Sequence, residues 1–348
     1  MTGFARTSQS HLPRLLFAAS SSSSANTTLA AANSRLSSVS RHLSMSAPSS
    51  SAAGGQNAQA ASSLPPITFD KSPAPESPLG PGRFVKTAGC LIIGDEVLNG
   101  KTKDSNSNYF AKFCFSLGIS LKRIEVIADD TDEIVEAARR MTQNYDLVIT
   151  SGGIGPTHDD ITYESLAKAF HAEPLELHDE TWHRMTELNK RRNLPEQTEE
   201  MITARKRMAQ FPSGKDVEVL HVTDNLWVPV VRLQGKLCIL PGVPRLFEAL
   251  LDGLASYIPI DKDAPRPFRV LIKTKRPESS IAPFLTKLSQ RVKAEEISVG
   301  SYPKLFDGVE VSLIGTDLEA LKKYGEEVAK ELDGTILDVG KLGDDPKE

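Results

Sequence analysis

The chain has 348 residues, a length typical of about two domains, and a formal net charge of −4 with 39% hydrophobic and 25% charged residues. This charge argues against a dedicated nucleic-acid binder, for which a strongly basic face is expected. No apolar run reaches the roughly 18 residues that cross a bilayer, so no membrane span is expected. The three cysteines, Cys90, Cys114 and Cys238, lie far apart in apolar sequence, which predicts buried reduced thiols rather than a zinc site or disulfides.

Residues 1–69 contain no Asp, Glu or Lys, but they contain four Arg and long Ser and Ala tracts. Such a composition buries too little apolar surface to fold, so this segment is predicted to be disordered. An Arg-rich, acid-free N-terminus is also typical of a mitochondrial transit peptide, here with a processing site after Leu43; an untargeted disordered tail is the alternative. Met45 would start a shorter, cytosolic form. Residues 70–83, rich in proline, are predicted to be an extended linker.

Strands and helices alternate between residue 84 and residue 259. Apolar runs predict strands at 87–93, 121–127, 147–150 and 236–240. Helical spacing predicts helices at 104–117, 131–141, 161–170, 179–207 and 244–254, with Asp104 and Thr131 as caps, whereas 210–231 is predicted to be irregular. This alternation is typical of a three-layer α/β/α domain with a mostly parallel sheet.

Residues 260–342 follow a different pattern. Strands are predicted at 268–274, 296–302, 308–314 and 335–339, and helices are predicted at 281–292 and 318–332. The order β-α-β-β-α-β is the split βαβ arrangement, which predicts a small α+β domain. It carries no evident catalytic set, so we interpret it as a packing or assembly module.

The stretch Asp146–Thr162, DLVITSGGIGPTHDDIT, joins a buried strand to a glycine-rich loop and a helix start. Its glycines permit positive φ angles and close approach of a ligand. Free backbone N–H groups and the helix dipole both favour an anion at such a place. We therefore assign a phosphate cradle to Gly152, Gly153 and Gly155; tight turns without a ligand are the alternative.

The two carboxylates at this helix start, Asp159 and Asp160, would repel a phosphate unless a divalent cation bridges the two groups. Asp95 and Asp129 follow two other predicted strands, and loops after parallel strands share one edge of the sheet. We predict Asp160, Asp159 and Asp129 as catalytic residues. Asp95 and Asp160 are predicted to bind Mg²⁺, Mn²⁺ or Co²⁺. The alternatives are a helix cap for Asp160 and turn roles for the pair at 95 and 129.

Further residues are predicted to bind the substrate, a nucleotide or a pterin phosphate. Thr157 and Asn106 carry hydrogen-bonding side chains, and Arg207 ends a basic cluster that is predicted to lie over the anion. A solvated face is the usual alternative for such charge runs. The remaining substrate-binding candidates belong to the loops themselves, Pro156 and Gly242.

The motifs GDEVLNG, DSN, ADD, SGGIGPTHDDIT and LPGVP follow one another in this order. In order and spacing they resemble the MoaB/Mog molybdopterin-binding fold of the CinA-like group, over residues 86–257. The segment ISVGSYP at 297–303 resembles the region that follows this domain in eukaryotic FAD synthases. Neither the sulfate-reductase-like domain of those enzymes nor the deamidase domain of CinA proteins fits into the remaining sequence, so we expect neither activity from this chain alone.

The resemblance implies one of two chemistries. Domains of the CinA and FAD synthase type are similar to metal-dependent pyrophosphatases that cleave FAD or ADP-ribose with release of AMP, whereas the Mog branch binds or adenylylates molybdopterin in molybdenum cofactor synthesis. The THDDIT spelling, LPGVP and the GSYP region favour the pyrophosphatase. A non-catalytic nucleotide-binding module is the third hypothesis. Dimers or trimers are usual in the family, so a homo-oligomer is expected.

The chain departs from the family pattern at a position that bears on catalytic activity. Members usually carry a Lys beside Asn and Gln ahead of the proline at Pro212, where this chain reads ARKRMAQFP. Arg207 falls about where that Lys belongs, but a guanidinium cannot replace a Lys that gives up a proton. The segment Val222–Val231 also lacks the family's usual glycines, which leaves substrate choice open.

Overall fold

The computed structural model describes residues 67–191 and 197–340. The predicted transit peptide, its processing site after Leu43 and the alternative start at Met45 lie outside these ranges. Among the described residues, no helix is both long and apolar enough to span a bilayer.

A six-stranded sheet in the order β2-β1-β3-β8-β7-β6 forms the centre of the first part of the chain. Four neighbouring strands, β2, β1, β3 and β8, run parallel, and β7 and β6 are antiparallel to their neighbours. The strands up to residue 240 are β1 Thr87–Ile93, β2 Ser120–Ile127, β3 Leu147–Ser151, β4 Leu175–Leu177, β5 Gln210–Pro212, β6 Val217–Leu220, β7 Val230–Leu233 and β8 Leu237–Leu240. The two short strands β4 and β5 form a separate ribbon.

Helices cover both faces of this sheet, as the alternation of strands and helices predicts. They are α1 Asp95–Leu98, α2 Asn106–Ser116, α3 Thr131–Asn144, α4 Thr162–Phe170, α5 Asp179–Arg191, α6 Glu199–Arg207 and α7 Pro244–Leu254. Successive residues of β1 point to opposite faces, so Cys90 packs with Phe110 and Phe247 in one core, and Leu91 packs with Ile134 in the other. The predicted three-layer α/β/α architecture is confirmed.

The irregular region predicted at 210–231 is wrong, because it contains β5, β6 and the start of β7. These strands are three or four residues long, and β6 and β7 pair as Val217–Leu233 to Leu220–Val230. The single helical region predicted at 179–207 is also wrong, since α5 and α6 are separate helices.

The predicted cap at Thr131 is displaced by one residue. Asp130 is the N-cap of α3, and its carboxylate accepts hydrogen bonds from the backbone N–H groups of Asp132 and Glu133. Thr131 is instead the first helical residue. At α2, Asp104 accepts a bond from the Ser107 N–H at 3.0 Å.

A four-stranded antiparallel sheet in the order β10-β11-β9-β12 follows. Its elements are β9 Phe268–Thr274, α8 Glu278–Val292, β10 Ser298–Lys304, β11 Gly308–Gly315, α9 Leu318–Glu331 and β12 Thr335–Gly340. The predicted β-α-β-β-α-β order is therefore present. The sheet and its two helices share a core of their own, which includes Val270, Leu285 and Val328. At the turn between β10 and β11, Phe306 is 99% exposed.

Residues 67–83, which are the end of the segment predicted to be disordered and the whole predicted linker 70–83, have no helix or strand, but they contact the first sheet and its helices. Ser72 exchanges hydrogen bonds with the backbone of His221, and the Tyr257 hydroxyl donates to Ser72 O at 2.6 Å. Arg184 Nη2 donates to Asp70 O at 2.6 Å. These contacts define residues 67–83 as a strap.

All three cysteines are buried and free, as predicted. Burial raises the pKa of the Cys114 thiol and of the Cys238 thiol to about 12. Burial also raises the pKa of Cys90 far above its ordinary value.

Candidate functional site

Four parallel strands end at the same level and carry their following loops to one edge of the sheet. Ile92 of β1 is paired with Ser151 of β3, which in turn is paired with Leu240 of β8. Gly94 N donates to Ile127 O at 3.1 Å, so the loops after β1 and β2 also meet. This edge brings together the loops that carry the predicted site residues.

The glycines of the central loop stand where no side chain fits. Gly152 has a φ of 113°, and a Cβ there would lie 2.0 Å from Ile93 O. Gly153 has a φ of 63°, and a Cβ there would lie 2.3 Å from Thr162 Oγ1. A Cβ on Gly242 would lie 3.3 Å from Gly152 Cα, so the loops after β3 and β8 touch backbone to backbone. Glycine is therefore required at these positions because neighbouring atoms approach too closely for a side chain.

Asp129 lies at the centre of an acidic edge. Its Oδ2 accepts a hydrogen bond from Asp95 N at 2.9 Å, and its Oδ1 would be 3.5 Å from a Cβ on Gly153. Burial raises the pKa of Asp129, and the nearby charges of Asp95, Glu96 and Asp159 raise it further. The carboxyl group therefore holds a proton more readily than an ordinary aspartate and faces the glycine loop.

Asp160 is part of the loop and does not cap the helix. Its Oδ2 accepts hydrogen bonds from Thr157 N, at 2.9 Å, and from the Thr157 hydroxyl. The N-cap of α4 is Ile161, which makes no side-chain cap bond. A Cβ on Gly155 would lie 2.5 Å from Asp160 Oδ2. The Thr157 hydroxyl also holds the pKa of Asp159 below its ordinary value.

Arg207, at the end of α6, contacts the loop rather than open space. Its Nη1 donates to Thr157 O at 2.8 Å, and its Nη2 donates to Asp160 O at 3.2 Å. A weaker contact of 3.5 Å reaches Pro156 O, and Glu164 forms an ion pair at 3.2 Å. These donors are bound to the protein itself, so direct contact of Arg207 with an anion stays a prediction.

Asn106 joins the loops after β3 and β8. Its Nδ2 donates to Ser151 Oγ and to Gly242 O, both at 2.9 Å. The side chain is buried, and Oδ1 has no partner in the described part of the chain. Asn106 therefore fixes the distance between the two loops; its contact with a ligand stays a prediction.

No group of three or more His, Cys, Asp or Glu side chains in the described ranges could hold a metal ion. Binding of a metal by the predicted pair, Asp95 and Asp160, therefore stays a prediction. Mg²⁺ keeps several waters and is commonly held by one or two carboxylates together with phosphate oxygens of the substrate. The electrostatic influence of three neighbouring acids on Asp129 shows an edge that favours a cation. The negative charge of this edge is what a metal that arrives with a phosphate ligand would need, and its binding stays a prediction.

Two side chains that hold the loop were absent from the predicted set. Thr162 Oγ1 donates to Gly152 O at 2.9 Å, and Thr162 N donates to Gly153 O at 3.0 Å. Ser151 Oγ accepts the hydrogen bond of Asn106. Both residues flank the glycines in sequence, and hydroxyl side chains beside a glycine loop are the signal that identifies them.

Two families match the chain. Residues 89–259 match the family described as "Probable molybdopterin binding domain", and residues 267–339 match the one described as "FAD synthase, middle domain". A "Probable FAD synthase" of Caenorhabditis elegans is 35% identical over 242 residues, which cover 63% of this chain and 44% of that protein. The chain thus spans less than half the length of this relative. A protein of Saccharolobus islandicus is 33% identical over 254 residues, which cover 70% of this chain and 92% of that protein.

Two solved structures are also similar. The protein CinA from Thermoplasma acidophilum is 31% identical with a TM-score of 0.43, over 50% of this chain and 100% of that one. The molybdopterin biosynthesis enzyme MoaB from Thermus thermophilus is 16% identical with a TM-score of 0.32, over 49% of this chain and 90% of that one.

Proposed function

We propose that this chain, which belongs to the MoaB/Mog family of molybdopterin-binding domains and to its CinA-like and FAD synthase branch, is a metal-dependent nucleotide pyrophosphatase. Its substrates are FAD or ADP-ribose, and it releases AMP. One observation carries the proposal: the Asp129 carboxyl, with its raised pKa, lies beside the glycine loop at the edge of the sheet.

The glycine loop binds the diphosphate in this proposal. Gly152 N donates to Leu240 O at 3.2 Å, so in this proposal the phosphate oxygens are bound by N–H groups of the loop after Gly152. Gly242 allows the loop after β8 to approach, and Asn106 holds that loop in place through Gly242 O. The substrate is oriented by backbone contacts, which tolerate different groups beyond the diphosphate.

Hydrolysis breaks the bond between one phosphorus and the bridging oxygen, while a water oxygen forms the new bond to that phosphorus. Asp129 accepts the proton of this water on its carboxylate, because a carboxyl with a raised pKa is a better base than an ordinary aspartate. The products are AMP and either FMN or ribose 5-phosphate. Asp159 lies close enough to Asp129 to keep its proton affinity high.

Asp95 and Asp160 would hold the divalent cation, Mg²⁺, Mn²⁺ or Co²⁺. When bound, such an ion polarises a phosphate oxygen and offsets the charge of the neighbouring acids. Asp160 is oriented for this role by the Thr157 N–H and hydroxyl, both of which bond its Oδ2.

The test is release of AMP from FAD and from ADP-ribose, with each of the three metals. Turnover by the wild type should require metal and should be lost in Asp160→Ala. The rate should fall as pH falls through the raised pKa of Asp129, and Asp129→Asn should abolish that activity. Asp132→Asn serves as the control, since Asp132 is 93% exposed. Absence of turnover with every metal would refute the proposal.

The alternative is a molybdopterin-binding or adenylylating protein, which the description of the family matching residues 89–259 favours. Tight binding of molybdopterin without release of AMP would identify it. A non-catalytic nucleotide-binding module is the third hypothesis, favoured by Arg207 at the place of the family's Lys. Nucleotide binding without turnover would identify that one.

We also propose that the protein forms a homo-oligomer and that residues 1–69 contain a mitochondrial transit peptide. Light scattering of the purified protein measures the first. The second is tested in cells with a fluorescent fusion at the C-terminus, for the full chain and for a form that begins at Met45. Mitochondrial signal from both forms would contradict a transit peptide before that methionine.

A further inference from the structure

The guanidinium of Arg207 donates hydrogen bonds to several backbone carbonyl groups of the glycine loop. Nη1 bonds Thr157 O at 2.8 Å and contacts Pro156 O at 3.5 Å, and Nη2 bonds Asp160 O at 3.2 Å. Nη2 also bonds Glu164 Oε1 at 3.2 Å. A single side chain therefore fixes peptide groups at both ends of the turn that carries the acidic pair.

Because trans peptide groups are planar, the direction of a bonded carbonyl also sets the direction of the N–H group in the same peptide. In a trans peptide the C=O of one residue and the N–H of the next point in opposite directions. Since Thr157 O and Asp160 O face Arg207, the N–H groups of His158 and Ile161 point away from it. The arginine thus orients the two peptide groups that follow Thr157 and Asp160, with their N–H groups on the side opposite the guanidinium.

Because helix α6 makes few packing contacts, the hydrogen bonds that connect it to the loop are important for its position. None of its residues is buried. Arg205 and Lys206 lie over the ring of Trp182, at 5.2 and 5.9 Å from its centroid. Arg207 is the residue through which the helix contacts the loop, and an open cavity of about 510 Å³ lies between them.

A lysine could not make the same set of contacts. Arginine presents several N–H donors in a rigid planar fork, whereas a lysine carries a compact point charge on a flexible stem. Three carbonyls and a carboxylate spread along the loop suit a fork. The position where the family usually has a proton-giving Lys therefore carries, in this chain, a residue suited to holding backbone.

We propose that Arg207 is a positioning residue of the phosphate site: it holds the loop carbonyls of Thr157 and Asp160 away from the ligand so that the N–H groups of His158 and Ile161 face it. This inference rests on the proposed function for the identity of the ligand. The orientation of the loop itself does not depend on that identity.

The experiment compares Arg207→Lys with Arg139→Lys in the full chain. Arg139 is a matched control, because its guanidinium donates to Ala169 O at 2.7 Å and to Lys168 O at 3.3 Å, at the other end of α4. Two quantities are measured: the affinity for ADP with Mg²⁺ by calorimetry, and amide hydrogen exchange of residues 152–162 without ligand.

Arg207→Lys should weaken ADP binding by roughly tenfold to a hundredfold, as expected for lost bonds from a charged donor. It should also accelerate exchange in the loop. Arg139→Lys should leave both quantities unchanged although it removes bonds of the same kind. Glu164→Gln should behave like the wild type, since the carbonyl contacts remain.

An Arg207→Lys protein that binds ADP like the wild type and protects its loop equally would overturn the inference. Equal losses in Arg139→Lys would also overturn it, since the effect would then be general destabilisation. If the wild type binds ADP but releases no AMP, the pyrophosphatase proposal fails while the comparison of variants still decides the role of Arg207. If the wild type does not bind ADP, the exchange rates alone decide that role.

Discussion

At the start of α4, the side chain of Thr162 occupies the space that a side chain at position 153 would need. The Thr162 hydroxyl donates to Gly152 O at 2.9 Å, in the space that a side chain on Gly153 would occupy. A methyl group there would lie 2.3 Å from the hydroxyl oxygen, so either the threonine or the loop must move. The Thr162 hydroxyl thus leaves no room for a side chain at position 153.

Gly153→Ala should destabilise the protein and weaken ADP binding, and Gly100→Ala should not affect binding. Both residues have positive φ, 63° and 77°, so both variants strain the backbone, at a cost of about 1 kcal/mol or more. Only Gly153 has a neighbour in the way, since nothing lies within 4 Å of a Cβ on Gly100. Thermal unfolding and calorimetry measure the two effects. Equal loss of binding in both variants would contradict this explanation.

Sequence reasoning located the loop residues because glycine spacing and the preceding apolar strand are local signals. It could not separate the two roles considered for Asp160, since an Asp before a helix fits both a cap and a loop carboxylate. The deciding contact is with Thr157, three residues earlier, and its geometry depends on how Arg207 fixes the turn. That arginine is distant in sequence, so no local pattern reveals it.

The strap illustrates how an element without regular structure can be fixed. It meets a buried polar cluster in which His221 is 3% exposed and Arg184 is 4% exposed. Thr181 lies between the rings of the two histidines, at 2.9 Å from His178 Nδ1 and 3.4 Å from His221 Nε2. Burial, together with the nearby charge of Arg184, lowers the pKa of His221 to about 4.

Low pH should therefore reduce the free energy of unfolding through the buried polar cluster at the strap. The folded pKa of His221, about 4, lies below its ordinary 6.5, so the unfolded chain binds the proton more tightly. The contribution of His221 to the free energy of unfolding is fully present above the unfolded pKa, 6.5. It is lost as pH falls from there through the folded pKa, about 4. The loss is on the order of 3 kcal/mol in the free energy of unfolding.

Chemical denaturation of wild type and His221→Gln between these pH values measures that loss. The variant should show a shallower decline, and His183→Gln, a change at an exposed histidine of α5, should follow the wild type. Parallel curves for wild type and His221→Gln would refute the assignment. Comparing variants is necessary because carboxylates also titrate in this range.

At the level of elements, strands with continuous apolar or alternating sequence were predictable, whereas three short strands and the division of the 179–207 region into two helices were not. β1 and β9 have the predicted bounds because each is seven residues of apolar or alternating sequence. β5, β6 and β7 have only three or four residues, and their pairing with distant partners decides that they are strands. The strap was predicted as extended chain, but its hydrogen bonds to His221 and Tyr257 could not be predicted, since they join positions about 150 residues or more apart in sequence.

The described chain contains separate cores for its two large sheets. The residues that pack with Val270 and Val328 belong to the second sheet and its helices, and the cores of the first sheet share none of them. Side-chain contacts between the two parts include Arg266, which donates to Leu117 O, and Arg269, whose guanidinium lies 5.5 Å from the ring centroid of Phe115. Independent cores favour independent folding.

A fragment of residues 67–262 should therefore fold and bind ADP as the full chain does. It keeps the strap, the six-stranded sheet and every residue assigned to the site. Circular dichroism, thermal unfolding and calorimetry test this expectation. A folded fragment that has lost ADP binding would show that the second sheet contributes to the site, and an unfolded fragment would show that the cores are not independent.

The burial of all three thiols makes the protein convenient for site-specific labelling. Maleimide reagents react with exposed thiolates, and the raised pKa values of Cys114 and Cys238, about 12, leave almost no thiolate at neutral pH. A single new thiol at the β10–β11 turn, introduced as Phe306→Cys, would be accessible because Phe306 is 99% exposed. A fluorophore placed there would report on the second sheet without removal of any native cysteine.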